Sequence, residues 1–291
     1  MSERAVATVG GHTLVCADCG GMGELPDGGA DALVASPPYA DAKDYGDPRA
    51  SFPPEPAAAS AWFAPKIREF LRVLRPGGTA VLVAGPRLAG GEYHPWREQL
   101  MLDMRAAGFA PWEVATWHKR KFQPASGRFG QATEWIQMYR RRGGDPWLDL
   151  DAFRQPYSER SLRNMEKDGL VKRFSRQKME QAPWEYPNVR AEWRAHPMGA
   201  AARNHFEVIS DGQKRARFRH YAAYPEELAA KFVAGCCPPG GTVVDPFSGT
   251  ATTGVACARL GRRYVGYELV REWHEVGAAR LAELVPQTPE E

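Results

Sequence analysis

Seven short apolar runs recur along the chain: Thr13–Cys16, Asp31–Ala35, Thr79–Ala84, Glu113–Trp117, Glu134–Tyr139, Thr242–Asp245 and Arg263–Tyr267. Their length and β-branched content predict buried strands. Between them lie segments of helical period. Residues 57–75 place Trp62, Phe63, Ile67, Phe70, Leu71 and Leu74 on one face before Pro76-Gly77-Gly78 stops the pattern. Further helices are predicted from Trp96 to Ala107, from Glu226 to Gly235, from the loop after Asp245 to Leu260, and from Trp273 to Leu284. The strand at 31–35 ends at Ser36-Pro37-Pro38-Tyr39, because two prolines end both a ladder and a helix. Residues 41–56, rich in Pro and Asp, read as a mobile loop. Strands alternating with helices predict an α/β fold: a mostly parallel sheet of about seven strands, covered on both faces.

About 75 residues, from Arg142 to Phe218, follow no clean period and interrupt the alternation. The expected organisation is residues 1–141 and 218–291 forming one sheet from both ends of the chain, with 142–217 inserted between them. Charge gives this insert a meaning that the overall net of +3 hides. From His118 to Arg219 there are 22 basic and 12 acidic residues, a net of +10 that leaves −7 for the remainder. Phe122, Phe129, Tyr157, Phe174, Trp184, Tyr186 and Trp193 are interleaved with the basic positions. A basic stripe with flat side chains suits phosphate contact plus base stacking; its plainer alternative is an Arg-rich solvated surface.

The remaining composition mainly excludes. With 291 residues, 43% hydrophobic and 25% charged, the chain can bury a core without disulfides or a metal. No apolar run approaches the roughly 20 residues of a membrane span. Met1–Val6 lacks the apolar stretch of a signal peptide, so a cytoplasmic protein is expected. Cys16 and Cys19 have the spacing of half a zinc site, but no second pair and no His-x-x-x-His follows, so no metal is expected.

Two segments carry chemistry. Asp245-Pro246-Phe247-Ser248-Gly249-Thr250-Ala251-Thr252 leaves a strand, turns on small residues and opens a helix, so a ligand can approach the backbone. Glu268 ends the next strand, 19 residues after Gly249, where a carboxylate can accept hydrogen bonds from ribose hydroxyls. This suits an adenosine-containing ligand. The absence of Gly-Lys-Ser/Thr excludes a Walker phosphate loop, while a nicotinamide dinucleotide or a tight turn without ligand stays open. Ser36-Pro37-Pro38-Tyr39 sits at the carboxyl edge of the sheet. The prolines make a rigid, donor-free corner with outward carbonyls, Ser36 adds a hydroxyl acceptor and Tyr39 a stacking face, together able to hold a planar base by its amino group.

The Ser36–Tyr39 tetrapeptide, the Asp-Pro-Phe-x-Gly loop at 245–249 and their order resemble the DNA amino-methyltransferases that modify cytosine N4 or adenine N6. The catalytic motif precedes the basic insert and the cofactor motif follows it, which is similar to the β-class order. The resemblance implies a Rossmann-like methyltransferase sheet, S-adenosyl-L-methionine (SAM) as cofactor, and the insert as target-recognition region. It makes Asp18 the acid that contacts the SAM adenine, and Trp117-His118-Lys119 the family's Trp-x-Lys. The segment from His220 to Leu228, with Tyr224, is implied to form the pocket for the methionine part. One departure stands out: Ala251 replaces a usual glycine. DNA contact is expected from Lys119, Arg120, Lys121, Lys172, Arg173 and Arg176. The implied partners are double-stranded DNA and a cognate restriction endonuclease, with no membrane, for a monomer or homodimer.

On this reading Ser36 and the Pro37 carbonyl accept the two N–H bonds of a flipped base, Pro38 stiffens the corner and Tyr39 stacks on the ring. Ser before Pro-Pro-Tyr is, in the family, more often associated with cytosine N4, and that is the expected target. Adenine N6 is the alternative, followed by an RNA or protein-amide methyltransferase. The basic insert disfavours a nicotinamide oxidoreductase, and the intact corner disfavours a DNA-binding module with a degenerate pocket.

Overall fold

The computed structural model describes residues 4–40, 45–119, 127, 129–168, 171–173, 192–208 and 224–285. Arg120, Lys121, Arg176, His220–Ala223 and the aromatics Phe122, Phe174, Trp184 and Tyr186 lie outside the described residues. Two compact units emerge: 1–149 with 204–291, and 150–203.

The first unit is built on a nine-stranded sheet. In chain order its strands are β1 (Ala5–Val9), β2 (His12–Cys16), β3 (Ala30–Ala35), β4 (Leu74–Ala84), β5 (Phe109–His118), β6 (Thr133–Arg141), β7 (His205–Glu207), β8 (Thr242–Asp245) and β9 (Arg263–Glu268). They lie side by side as β1-β2-β9-β8-β3-β4-β6-β5-β7. The run from β2 to β4 is parallel throughout, β6 is antiparallel to both its neighbours, and β7 pairs parallel to β5. Seven of these are the expected strands. The other two, β1 and β7, are short edge strands whose few residues give no clear period. Because β7 belongs to this sheet, residues 204–208 leave the stretch that sequence assigned to the insert.

Helices α1 (Pro56–Val73) and α2 (Trp96–Ala106) pack against each other and on the sheet. Helix α1 buries Ala59, Phe63, Lys66, Ile67, Phe70 and Val73. Of the expected stripe Phe63, Ile67 and Phe70 are among these, Trp62 and Leu71 are half-buried, and Leu74 already belongs to β4. Phe52, Trp62, Phe63 and Trp96 form an aromatic cluster against it, with ring centroids 4.8–6.2 Å apart. The Pro-Gly-Gly after α1 is not a loop. Strand β4 begins at Leu74 and carries it as a bulge, with Gly77 at φ +77° and regular pairing with β3 resuming at Thr79.

The second unit holds helix α3 (Glu159–Asp168) and an antiparallel hairpin of 171–173 with 192–194. Lys172 and Arg173 are on that hairpin. Within this unit Gln155 bridges Ala200, and the Tyr157 hydroxyl bonds the backbone of His196. The first unit is completed by α4 (Glu226–Cys236), α5 (Thr252–Arg259) and α6 (Arg271–Ala282). Among the described residues no helix is long and apolar enough to cross a membrane.

Candidate active site

Parallel pairing brings the carboxyl ends of β2, β3, β8 and β9 to one edge, where the polar ends of strands point beyond the ladder. A cavity of about 790 Å³, its mouth included, opens there. It is lined by Ala17 and Asp18 after β2, Ser36, Pro37 and Pro38 after β3, residues 246–250 and Thr252 after β8, and Glu268 ending β9. Tyr224 also lines it. Most of the residues expected at a cofactor and target site therefore share one wall-to-wall space. Asp245, Ala251 and the half-buried Tyr39 are not among the lining residues.

Glu268 faces this space with both oxygens already anchored: Oε2 accepts from Gly249 N (2.7 Å) and Oε1 from Val270 N (2.8 Å). Burial pushes its carboxyl up, and those backbone donors oppose the shift. Each oxygen keeps lone pairs for a further donor, as two ribose hydroxyls require. Asp18 is exposed, caps the Gly20 N–H (2.6 Å) and stands 3.5 Å from the Lys66 ammonium.

Asp245 is 1% exposed and does not reach the cavity. Its Oδ1 accepts from Phe247 N and its Oδ2 from the Thr253 hydroxyl, which in turn meets the Tyr224 hydroxyl at 2.6 Å. Burial raises its pKa to about 7. This acid shapes the loop rather than lining it. Ala251 adopts the left-handed conformation (φ 58°, ψ 40°) that a glycine would take without strain, so the backbone path survives the substitution.

At the corner, the Ser36 hydroxyl donates to Val83 O at 3.1 Å. The Tyr39 hydroxyl donates to Glu134 Oε2 at 2.8 Å and stands 3.3 Å from Ser36 Oγ. The Lys119 ammonium holds Glu134 Oε1.

Several lining residues carried no local signature: Tyr45, Arg49, Trp62, Lys66 and Trp273. Trp62 stacks on Phe247 at 5.9 Å, and the buried Lys66 ammonium lies 3.7 Å from the Trp62 ring centre. The odd lysine on the apolar stripe of α1 was the only hint. Cys16 and Cys19 are buried free thiols. Away from the cavity, His118, His205 and Glu207 occupy one face of the paired strands β5 and β7, with ligand-type atoms within 4.8 Å of one another.

A Rossmann-like sheet with a loop-lined cavity over its carboxyl ends is the architecture in which α/β proteins bind their ligands. Comparison with known proteins narrows the class. A family profile described as DNA methylase, covering N6 and N4 methylases, matches residues 30–279. The orphan methyltransferase M.BamHII of Bacillus amyloliquefaciens is 26% identical, over 86% of this chain and 88% of its own. The type II methyltransferase M.Cfr9I of Citrobacter freundii is also 26% identical, over 88% and 83%. Among solved structures, a Thermus thermophilus protein described as a DNA modification methylase, complexed with S-adenosyl-L-methionine, superposes with a TM-score of 0.57 at 25% identity, over 95% and 96% of the two chains. The cytosine-N4-specific PvuII DNA methyltransferase shares the fold at 17% identity, with a TM-score of 0.61 over 95% and 92%. The chain thus belongs to the N6/N4 DNA methylase family.

Proposed function

We propose that this DNA methylase uses SAM to methylate the exocyclic amino group of a base flipped out of double-stranded DNA, at cytosine N4. One observation carries the reading: the Ser36–Pro38 corner and the Asp18, Phe247–Thr250 and Glu268 surfaces line a single cavity. A base held at the corner and a nucleoside held by the loop would then share that space. Glu268, with spare lone pairs, fits the ribose, and the small residues at 248–250 let a ligand lie against the backbone.

SAM supplies a methyl group on a sulfonium, which leaves as a neutral thioether and needs no general acid. The protein's share is orientation. A base amine is a poor nucleophile because its lone pair is conjugated into the ring. With the Ser36 hydrogen engaged by Val83 O, the Ser36 oxygen offers lone pairs to one amine N–H, and the Pro37 carbonyl takes the other. The nitrogen can then turn its lone pair toward the methyl group, so catalysis is positioning and preorganisation. Tyr39 is assigned the stacking face for the extruded ring.

The basic stretch 118–219 is assigned to DNA contact, with the unit of residues 150–203 as its target-recognition part. Pairing with a restriction endonuclease, action in the cytoplasm and a monomer or homodimer belong to the same proposal. Cytosine rests on the Ser that precedes Pro-Pro-Tyr; adenine N6 is the second reading. The test is incubation with labelled SAM and unmethylated duplex DNA, digestion to nucleosides and identification of the labelled one. N4-methylcytosine is expected. N6-methyladenine overturns the base but keeps the mechanism, and label at cytosine C5 overturns both.

A further inference from the structure

We propose that Glu134, charge-balanced by Lys119, is a positioning residue for the methyl transfer: through Tyr39 it fixes the Ser36 hydroxyl as a hydrogen-bond acceptor toward the target amine. The inference rests on the methyl-transfer reading and adds to it a residue that lies almost a hundred positions from the corner.

Glu134 sits near the start of β6, 4% exposed, with Oε2 on the Tyr39 hydroxyl and Oε1 on Lys119 Nζ. A carboxylate buried this deeply is costly unless paired, so its charge calls for a specific partner. The pairing is built into the sheet: Glu134 lies opposite Trp117 in the ladder, and Lys119 N donates to Ala132 O at 2.7 Å. Gly85, just past the end of β4, leaves the necessary room. A Cβ there would stand 3.3 Å from the Tyr39 ring and 3.6 Å from the Glu134 carboxyl carbon.

The consequence follows from counting hydrogens. An ionised carboxylate can only accept, so the single hydroxyl hydrogen of Tyr39 must point at Glu134. Burial and the neighbouring carboxylate push the Tyr39 phenol well up, which keeps that hydrogen in place. The Tyr39 oxygen then has only lone pairs to offer Ser36 at 3.3 Å. The Ser36 hydrogen therefore goes to Tyr39 or to Val83 O, and neither lines the cavity. What Ser36 presents to the cavity is an oxygen lone pair, the group an amine N–H requires. Reversing the chain at Glu134 would let the phenol aim its hydrogen at Ser36 and occupy one of the lone pairs that Ser36 otherwise keeps for the amine.

Glu134→Gln is nearly isosteric and can donate an N–H to the Tyr39 oxygen. In the full-length protein we expect kcat for DNA methylation to fall tenfold or more, with SAM affinity and thermal midpoint close to wild type. Combining Glu134→Gln with Tyr39→Phe should cost little more than Tyr39→Phe alone, because both cut one chain. A kcat near wild type for Glu134→Gln, or losses that multiply in the double variant, would overturn the proposal. If Glu134→Gln does not fold, Tyr39→Phe alone decides: it removes only the hydroxyl, and an unchanged kcat would equally sink the idea. A wild-type protein that methylates no nucleoside condemns the methyl-transfer reading instead, so the two failures are distinct.

Discussion

Two loops leave the adjacent parallel strands β3 and β8 at the same edge, yet they are held in different ways. The loop after β8 satisfies its polar groups close at hand. Asp245 takes Phe247 N and Thr253, Ser248 Oγ takes the Tyr264 hydroxyl, Gly249 N goes to Glu268, and Arg280 donates to Thr250. Most of these partners come from the loop, its helix or the next strand. The corner after β3 has two prolines and correspondingly few backbone donors. Its side chains reach Val83 at the end of β4 and Glu134 on β6. The loop proposed for the cofactor is self-contained, whereas the corner proposed for the base takes its hydrogen-bond partners from strands far away in sequence. Function should therefore separate: changes in the first act on ligand affinity and stability, changes in the second on turnover.

The largest expected effect tests that separation directly. Ser36→Ala removes the acceptor proposed for the reacting amine and should lower kcat on the order of a hundredfold or more, with SAM affinity nearly intact. Glu268→Ala should do the reverse, weakening SAM binding roughly ten- to a hundredfold, since hydrogen bonds to a charged group are worth about 1.5–3 kcal/mol. Calorimetric titration of SAM beside single-turnover methylation reads both. If Ser36→Ala loses affinity and turnover in parallel, the corner holds cofactor rather than base, and the comparison collapses.

The self-contained loop was the more legible of the two in sequence, for the same reason. Its strand, turn, small residues and distal acid sit within 27 residues, so spacing alone places them. The corner was recognisable as a donor-free bend, but its dependence on Glu134 was not. Glu134 reads as an ordinary polar start to a strand, and Lys119 as one more cation in a basic stretch. Only the antiparallel insertion of β6 between β4 and β5 brings them under Tyr39. Trp62 and Lys66 were hidden similarly, since a helical stripe shows which face is buried but not that its end opens into a cavity. Pro76-Gly77-Gly78 was legible as the stop of the α1 pattern, which ends at Val73; that a strand carries it as a bulge was not.

The second prediction concerns the acid inside the rigid loop. Burial holds the Asp245 carboxyl at about 7, above its usual value near 4 in an unfolded chain. Between those values the folded state binds the proton and the unfolded state does not. The contribution of Asp245 to stability is therefore fully present below about pH 4 and is lost as pH rises toward 7. Over pH 5 to 7 the change is on the order of 2–3 kcal/mol. Asp245→Asn keeps an acceptor for Phe247 N and abolishes the titration, so its stability relative to wild type should climb across that window. Denaturant unfolding at pH 5, 6, 7 and 8 measures it. A constant difference would mean that the acid is ionised throughout, and that the loop is held by charge rather than by neutral hydrogen bonds.

The smallest effect is expected where the loop departs from glycine. Ala251 sits at φ +58°, a conformation that costs an L-residue roughly 1–2 kcal/mol. Ala251→Gly removes that strain but returns freedom to the unfolded chain, worth roughly 0.4–1 kcal/mol in the opposite direction. The net should be a stabilisation of no more than about 1 kcal/mol, seen as a small rise in Tm, with methylation unchanged. The methyl group also has a neighbour. A Cβ placed on Gly277 of α6 would stand 3.1 Å from Ala251 Cβ and 3.1 Å from Leu14, so that a neighbour would have to give by a few tenths of an ångström. Gly277→Ala should thus destabilise the wild type and do so less in the Ala251→Gly background. A double-mutant cycle by thermal unfolding gives the coupling. If the two changes are additive, Ala251 is merely tolerated; if they couple, the alanine and the helix glycine are one packing unit, with the bulk moved from the helix to the loop.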